Sequence, residues 1–566
     1  MSSLHPVAPF VIGALLAALA GPRLRPALVL ATPVVGFLNL LALDPGAGTT
    51  LMLFDHAIEP LRVDRLSLLF GYIFHIAAAI GALYAFHLDD RMEQTAALLY
   101  GGSAVGIVFA GDLVTLFVFW ELATVTSVFL IWARRTPRAL GAGFRYLVFQ
   151  FVSGLLLLVG ILVHLQATGT LAFGRLGVAS PGGLLIFLAF GIKVGFPVLH
   201  NWLTDAYPEA TPTGTVYLSA FTTKAAVYAL ARGYPGTEAL IYLGAAMTVF
   251  PIFYAVIEND LRRVLAYSMI NQLGFMVCGI GLGTALALNG AVAHAFNDVL
   301  FKGLLFMSMG SVLHMTGRIN GSELGGLYKT MPKTATLCIV GAASISAFPL
   351  FSGFVSKSMV MAAALDEGHP VVWLFLLFAS AGVFHHAGIK IPYFAFFAHD
   401  SGVRAADPPA NMLAAMAIAA ALSIGIGVYP WALYALLPFA VDYVPYTATH
   451  VIAQTQLLFF SALAFAWLNL VGLYPPELRS LNLDAEWVYR RALPRLWRAG
   501  ETIVVAADRA LRRRARALAA AALATAFQRF GPRAAPARSW PTGSAVIWVT
   551  ALLGLSLAVY YWRGGV

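Results

Sequence analysis

Eight titratable side chains stand inside apolar runs, where a charge is least easily tolerated: Glu121, Lys193, Lys224, His294, Asp298, Lys302, Lys357 and Lys390. Placing a charge there costs several kcal/mol, so each is a candidate for chemistry. His294, Asp298 and Lys302 are spaced four and four, which puts them on one helical face as a line of titratable groups about 6 Å apart. With intervening water, such a line relays protons. Burial favours the neutral forms of lysine and aspartate alike, so both can exchange protons near neutral pH. The competing reading is structural. Asp298 and Lys302 would then be an i,i+4 ion pair, His294 a satisfied buried histidine, and any single lysine a snorkelling or packing residue. For Lys390, near the end of its run, packing is the simpler reading. For Glu121 and four lysines in separate helices taken together, it is the weaker one.

Two of the runs are broken beside a lysine. Gly195 and Pro197 follow Lys193; Pro349, Ser352 and Gly353 precede Lys357. Proline removes a helix hydrogen bond, and freed backbone groups at membrane depth survive only where protein or a water-filled cavity satisfies them. Hydrated cavities beside Lys193 and Lys357 are therefore expected. The broken runs lie five spans apart, and the spans after them, read as intact, carry Lys224 and Lys390. A five-helix unit reverses its orientation when duplicated, which predicts two inverted repeats.

The elements that position these groups follow from composition. Of 566 residues, 60% are hydrophobic and 11% charged, with a mean hydropathy of +0.80, far above an ordinary soluble domain. A soluble enzyme, a nucleic-acid binder and a disulfide-stapled secreted module are disfavoured, and the net charge of +10 mostly reports topology. Runs long enough to span a bilayer number about sixteen, so the fold class is an all-α polytopic membrane protein. The expected organisation is N-terminal helices over 1–94, a first repeat over 95–232, a second over 238–398 and additional helices over 411–474. A basic amphipathic stretch on the cytoplasmic side over 475–540 and a last span over 541–566 complete it. The 475–540 stretch carries thirteen arginines against five acids; Arg509, Arg512, Arg513 and Arg516 stand opposite Leu511, Ala515 and Leu518, a pattern suited to a lipid interface or a partner's surface.

Arg23 and Arg25 after a retained first helix put the N-terminus outside. Arg134, Arg135, Arg138, Arg262, Arg263, Arg318, Lys329 and Lys333 then all fall in cytoplasmic loops. Cys278 and Cys338 make no CxxC pair, which disfavours iron–sulfur, zinc and thiol chemistry. No phosphate-binding loop, dinucleotide fingerprint, HExxH or Gly-x-Ser-x-Gly elbow is present. Neighbours on a helix point about 100° apart, so His385 and His386 cannot together ligate one haem iron. No cofactor and no metal site are expected, and any pumping draws on an ion gradient or a partner.

The residues around these charges carry a resemblance. FVFWELATVTS surrounds Glu121, GIKVGFPVLHNWLTDAYPEATPT holds Lys193, TTKAAVYALAR holds Lys224, DLRRVLAYSMINQLGFM starts at Asp260, NDVLFKGLLF holds Lys302 and SAFPLFSGFVSKSMV holds Lys357. Across roughly Thr95–Phe397 this resembles the antiporter-like membrane subunits shared by respiratory complex I, membrane-bound hydrogenases and Mrp-type cation/proton antiporters. The resemblance implies that Glu121 and Lys193 form an input pair, Lys224 bridges, His294 with Lys302 continues the axis and Lys357 is the exit-side lysine. Asp298 departs from the second histidine that many members carry. Lys357, where some complex I members have Glu, and the tail LDAEWVYRR at Leu483–Arg491 look most like the D-type subunits of the Mrp group.

The expectation is a proton-translocating subunit of a Na⁺/H⁺ antiporter in a bacterial inner membrane. It would work beside other membrane subunits and lipid and would not be an enzyme. The alternatives are a redox-driven or inorganic-carbon-uptake complex using the same proton path, a structural scaffold, and, least favoured, a membrane enzyme.

Overall fold

The computed structural model describes residues 4–53, 55–475, 477–478, 482–539 and 541–564. Of the expected segments, residues 1–3 and 54 of the N-terminal region, 476, 479–481 and 540 of the basic stretch, and 565–566 of the last span lie outside the described residues. The chain divides into a unit Met1–Asp484 and a unit Ala485–Val566.

The first unit opens with α1 (Ala8–Leu19) and α2 (Arg25–Leu41), then a hairpin of β1 (Gly48–Leu53) and β2 (His56–Arg62) paired antiparallel. An all-α reading leaves no place for that hairpin, which pairs Gly48 with Arg62 and Leu53 with His56. There follow α3 (Arg65–Tyr84), α4 (Arg91–Phe109), α5 (Leu113–Trp132), α6 (Pro137–Thr168), α7 (Pro181–Val194), α8 (Asn201–Ala206), α9 (Gly214–Ala220) and α10 (Thr222–Gly233). Next come α11 (Glu238–Ile257), α12 (Leu261–Leu282), α13 (Ala285–Thr316), α14 (Pro332–Ile345), α15 (Ser352–Asp366) and α16 (Pro370–Val383). The unit closes with α17 (Lys390–Pro392), α18 (Ala410–Val428), α19 (Trp431–Tyr434) and α20 (Ala448–Leu470).

Among the described residues ten helices are long and apolar enough to cross a membrane, and the shorter apolar α1, α2, α7 and α14 fall on further expected runs. The chain is a multi-pass helical membrane protein.

Local chemistry sets the helix ends, and it does so twice in the same way. Asp112 caps α5 through the Val114 and Thr115 amides, and Asp260 caps α12 through the Arg262 and Arg263 amides. Each aspartate also bridges to the strand-like residue after the next long helix, Asp112 to Ala172 and Asp260 to Asn320. The helices between, α6 and α13, are both 32 residues long, and each ends on a left-handed glycine, Gly169 or Gly317. Each half then carries a broken helix. Between α7 and α8, Gly195 and Val198 adopt φ of 84° and 72°; between α14 and α15, Ala347 and Leu350 adopt 57° and 74°. Three of these four bear side chains in a region such residues rarely occupy, so the surroundings hold the breaks open against local preference. Gly353 lies past the second break, in the first turn of α15, where a Cβ would collide with the Ser344 carbonyl.

The two spans read as intact are interrupted as well. Phe221 separates α9 from α10 without any proline or glycine, three residues before Lys224. Beyond α16 the chain winds into π-turns at Phe384–Ile389 and Tyr393–Phe397, on either side of Lys390. Pro392 removes an amide there, and such wide turns are frequent at functional positions.

The second unit holds α21 (Leu493–Phe530) and α22 (Thr542–Trp562). None of the 38 residues of α21 is buried, and at 1.5 Å per residue the helix is roughly 57 Å long. Arg512 and Asp508 form an i,i+4 pair at 2.8 Å along it.

Candidate functional site

Lys193 sits in the last turn of α7, just before Gly195 ends the helix. Only 2% exposed, its ammonium donates to the Trp120 carbonyl at 2.7 Å and to the Thr124 hydroxyl at 3.0 Å, and it lies 4.4 Å from the centre of the Trp120 ring. Glu121, the next residue along α5, makes no ion pair with it; its buried Oε1 has no hydrogen-bond partner. The expected input pair is thus two neighbours coupled through space, because the carbonyl and hydroxyl of α5 take the lysine's donors. Gly154 of α6 backs the Glu121 carboxylate so closely that a Cβ there would collide with Oε1. Gly154→Ala should raise helix propensity by about 1 kcal/mol yet push the carboxylate off its seat. Thermal stability of the protein should hold while the contacts of Lys193 and Glu121 rearrange, which a melting curve and a structure of the variant would show.

Lys224 is fully buried and forms an ion pair with Asp298 at 2.6 Å; its ammonium also donates to the Ser219 carbonyl at 3.0 Å, freed by the interruption at Phe221. Asp298 therefore bonds across helices and not along its own. Lys302 donates instead to the Ser268 hydroxyl at 2.9 Å, which removes the simple i,i+4 pair considered from spacing. His294 reaches Gln272 Oε1 at 3.1 Å through Nε2 and Ser356 Oγ at 3.0 Å through Nδ1. Lys357, adjacent to Ser356, donates to the Ile345 carbonyl at the second break and lies 5.0 Å from the Phe275 ring centre. Pro349 lies inside that break, as Pro197 lies inside the first. From Lys224 through Asp298 and Lys302 to His294 and Lys357, the expected axis residues are gathered into one buried region.

Lys390 stands apart. It pairs with Glu477 at 2.9 Å and donates to the Val256 and Glu258 carbonyls at the end of α11. His385 packs against Phe465 and Tyr474, and His386 is fully buried.

Three polar clusters escaped the sequence. Arg262, read as a loop charge, is fully buried and donates to the carbonyls of Tyr207, Pro208, Ala210 and Thr211 and to the Thr215 hydroxyl, tying α12 to the turn after α8. Glu93, in the first turn of α4, accepts from the Thr211 and Thr213 hydroxyls. Asp484 accepts from the Tyr267 hydroxyl at 2.7 Å and lies 3.1 Å from His200 Nε2, just past the first break. The pattern LDAEW pointed to the region of Asp484, but nothing in it pointed to His200.

With this geometry in view, residues 110–383 match the family described as NADH:quinone oxidoreductase/Mrp antiporter, transmembrane. Over that stretch, just under half of its length, the chain is similar to antiporter-like membrane subunits. Among curated relatives, a probable K⁺/H⁺ antiporter A/B-type subunit of Rhizobium meliloti is 34% identical over 331 residues, 54% of this chain and 33% of the relative. A D-type subunit of the Na⁺/H⁺ antiporter of Alkalihalophilus pseudofirmus is 31% identical over 50% of this chain and 62% of its own length. Among solved structures, one polypeptide of the Mrp complex from Dietzia sp. DQ12-45-1b superposes with a TM-score of 0.75 at 26% identity, covering 88% of this chain and 59% of its own length. The chain spans less than two thirds of the length of each.

Proposed function

We propose that the chain is a proton-translocating subunit of a multisubunit monovalent-cation/proton antiporter, an ion translocator and not an enzyme. It works in a bacterial plasma membrane with its N-terminus outside and other membrane subunits beside it. The observation that carries this reading is the buried charge line that crosses from one broken helix to the other. Lys193 at the first break, the Lys224–Asp298 pair between the halves, and His294, Lys302 and Lys357 toward the second give a proton a series of alternating donors and acceptors. The matched caps, bridges and left-handed glycines of the two halves support reading residues 95–232 and 238–398 as inverted repeats, one access path for each.

In this mechanism Glu121 sets the charge on Lys193 through space. At a few ångströms in a low-dielectric interior, a carboxylate that moves or changes protonation alters the lysine's proton affinity strongly. A proton released from Lys193 passes to Lys224, is buffered by Asp298, and leaves by way of Lys302, His294 and Lys357. Lys390, held by Glu477 and two carbonyls, serves as a second buried charge on the cytoplasmic side of the relay.

The relatives named above belong to a K⁺/H⁺ and a Na⁺/H⁺ antiporter, so the test uses both cations. The complex is purified from native membranes, its subunits are identified by mass spectrometry, and proton movement on adding Na⁺ or K⁺ is followed with a pH-sensitive dye in reconstituted vesicles. Small hydrophobic partner subunits and cation-dependent exchange support the proposal. Co-purified iron–sulfur subunits with no such exchange contradict it and assign the same path to a redox-driven pump.

A further inference from the structure

His200 follows the first break directly and precedes the first turn of α8. Its Cβ lies 3.6 Å from where a Cβ on Gly195 would stand, so the histidine packs on the glycine two residues after Lys193. The ring is buried, with the Phe250 ring of α11 at 4.7 Å between centroids. Its Nε2 lies 3.1 Å from Asp484 Oδ2. Its Nδ1 is also buried and has no hydrogen-bond partner among the described residues. Asp484 is the last residue of the first unit, and its Oδ2 also accepts from the Tyr267 hydroxyl of α12 at 2.7 Å. The Tyr267 ring stacks on Tyr254 with centroids 5.2 Å apart. Two residues before Asp484, Asn482 donates to Glu258 Oε2 at 3.3 Å, and that carboxylate lies 3.8 Å from Arg263.

Two features separate Asp484 from an anchor for its own segment. Burying a carboxylate carries a desolvation cost that an apolar side chain filling the same space would avoid. The second feature is what the carboxylate does to the ring it meets. An ionised carboxylate only accepts hydrogen bonds, so the contact to Nε2 requires the proton there. In the neutral ring Nδ1 is then the nitrogen with the lone pair, because the bond made by one nitrogen decides the state of the other. Asp484 thus selects one of two tautomers and fixes which nitrogen of His200 can take a proton. The Tyr267 hydroxyl spends its single proton on the same oxygen, which holds the carboxylate in place from the second half while it faces a residue of the first.

We propose that Asp484 is a positioning residue for proton exchange at the first break, holding His200 with its proton on Nε2 so that Nδ1 is the acceptor on the ring that packs at Gly195. This rests on the reading of Lys193 as a proton carrier. In each cycle Nδ1 gains one proton and gives one up while the Nε2 proton stays on Asp484, so neither residue is changed over a turnover.

The test is made on the assembled complex in everted membrane vesicles, with dye-reported proton movement on adding Na⁺ or K⁺. Asp484→Asn keeps the size of the side chain and an oxygen for Tyr267, but its amide offers a donor as well as an acceptor and no longer selects the tautomer. It should slow exchange by about tenfold or more and leave the thermal midpoint of the complex in place. His200→Gln should slow exchange to the same degree, and adding Asp484→Asn to it should cost nothing further, because the aspartate acts through the ring. Tyr267→Phe removes one bond to Asp484 and leaves the carboxylate on His200, so exchange should stay near the wild-type rate. Wild-type exchange in Asp484→Asn, with Lys193→Ala inactive, overturns the proposal and leaves the axis standing. A loss in Tyr267→Phe equal to that in Asp484→Asn assigns the carboxylate to anchoring its segment and also overturns it, as does a further, independent loss in the double variant. If Asp484→Asn does not assemble, His200→Gln decides: slowed exchange there supports the proposal and wild-type exchange overturns it. Full exchange in Lys193→Ala removes the axis, and this role with it.

Discussion

Lys193→Ala should lower cation-coupled proton exchange by at least about a hundredfold while the complex assembles in normal amount. The side chain it removes ends in two contacts, to the Trp120 carbonyl and the Thr124 hydroxyl. Leaving these unsatisfied costs roughly 1–3 kcal/mol, a loss that a large, densely packed helical bundle absorbs. Glu121→Ala separates the two quantities more cleanly. Its Oε1 has no hydrogen-bond partner, so deleting the side chain relieves a desolvation cost instead of breaking a bond, and stability should hold or rise. Exchange should still fail, because the charge that tunes Lys193 is gone. Quantitative blotting or purification yield reports assembly, and the dye assay reports exchange. Loss of the complex in step with loss of exchange would favour a packing role.

Asp298→Ala should act on both quantities. Lys224 and Asp298 are wholly buried and 2.6 Å apart, and removing one partner of such a pair strands the other charge at a cost of about 3–5 kcal/mol. The thermal midpoint of the purified complex should drop and exchange should vanish. Lys224→Met combined with Asp298→Leu removes both charges, and burial of apolar groups of similar size in place of an ion pair is close to neutral. That double variant should regain most of the stability and none of the exchange. Recovery of exchange along with stability would mean that the pair only holds helices together.

The charges and the breaks were legible because each violates its surroundings: a lysine within an apolar run, or Gly195 and Pro197 where a helix should continue. The long helices α6 and α13 and the caps at Asp112 and Asp260 follow equally local rules. What could not be read depended on the third dimension. The partner of Asp298 is on another helix, while spacing along the chain offers only Lys302. The interruption at Phe221 has no proline or glycine to announce it; it is stabilised by the Lys224 ammonium on the Ser219 carbonyl. The π-turns around Lys390 draw on the end of α11 and on Glu477, residues distant in sequence. Arg262 and Asp484 belong to segments whose composition suggests a surface, and only the fold shows them buried.

The central claim is that Glu121 and Lys193 carry charge for transport and not for packing. The most direct measurement is dye-reported exchange, normalised to assembled complex, in the paired neutral variant Glu121→Gln with Lys193→Met. Both substitutions preserve size, so a scaffold would be indifferent to them. The predicted result is a complex of normal yield that exchanges no protons on addition of either cation; exchange at the wild-type rate would contradict the account.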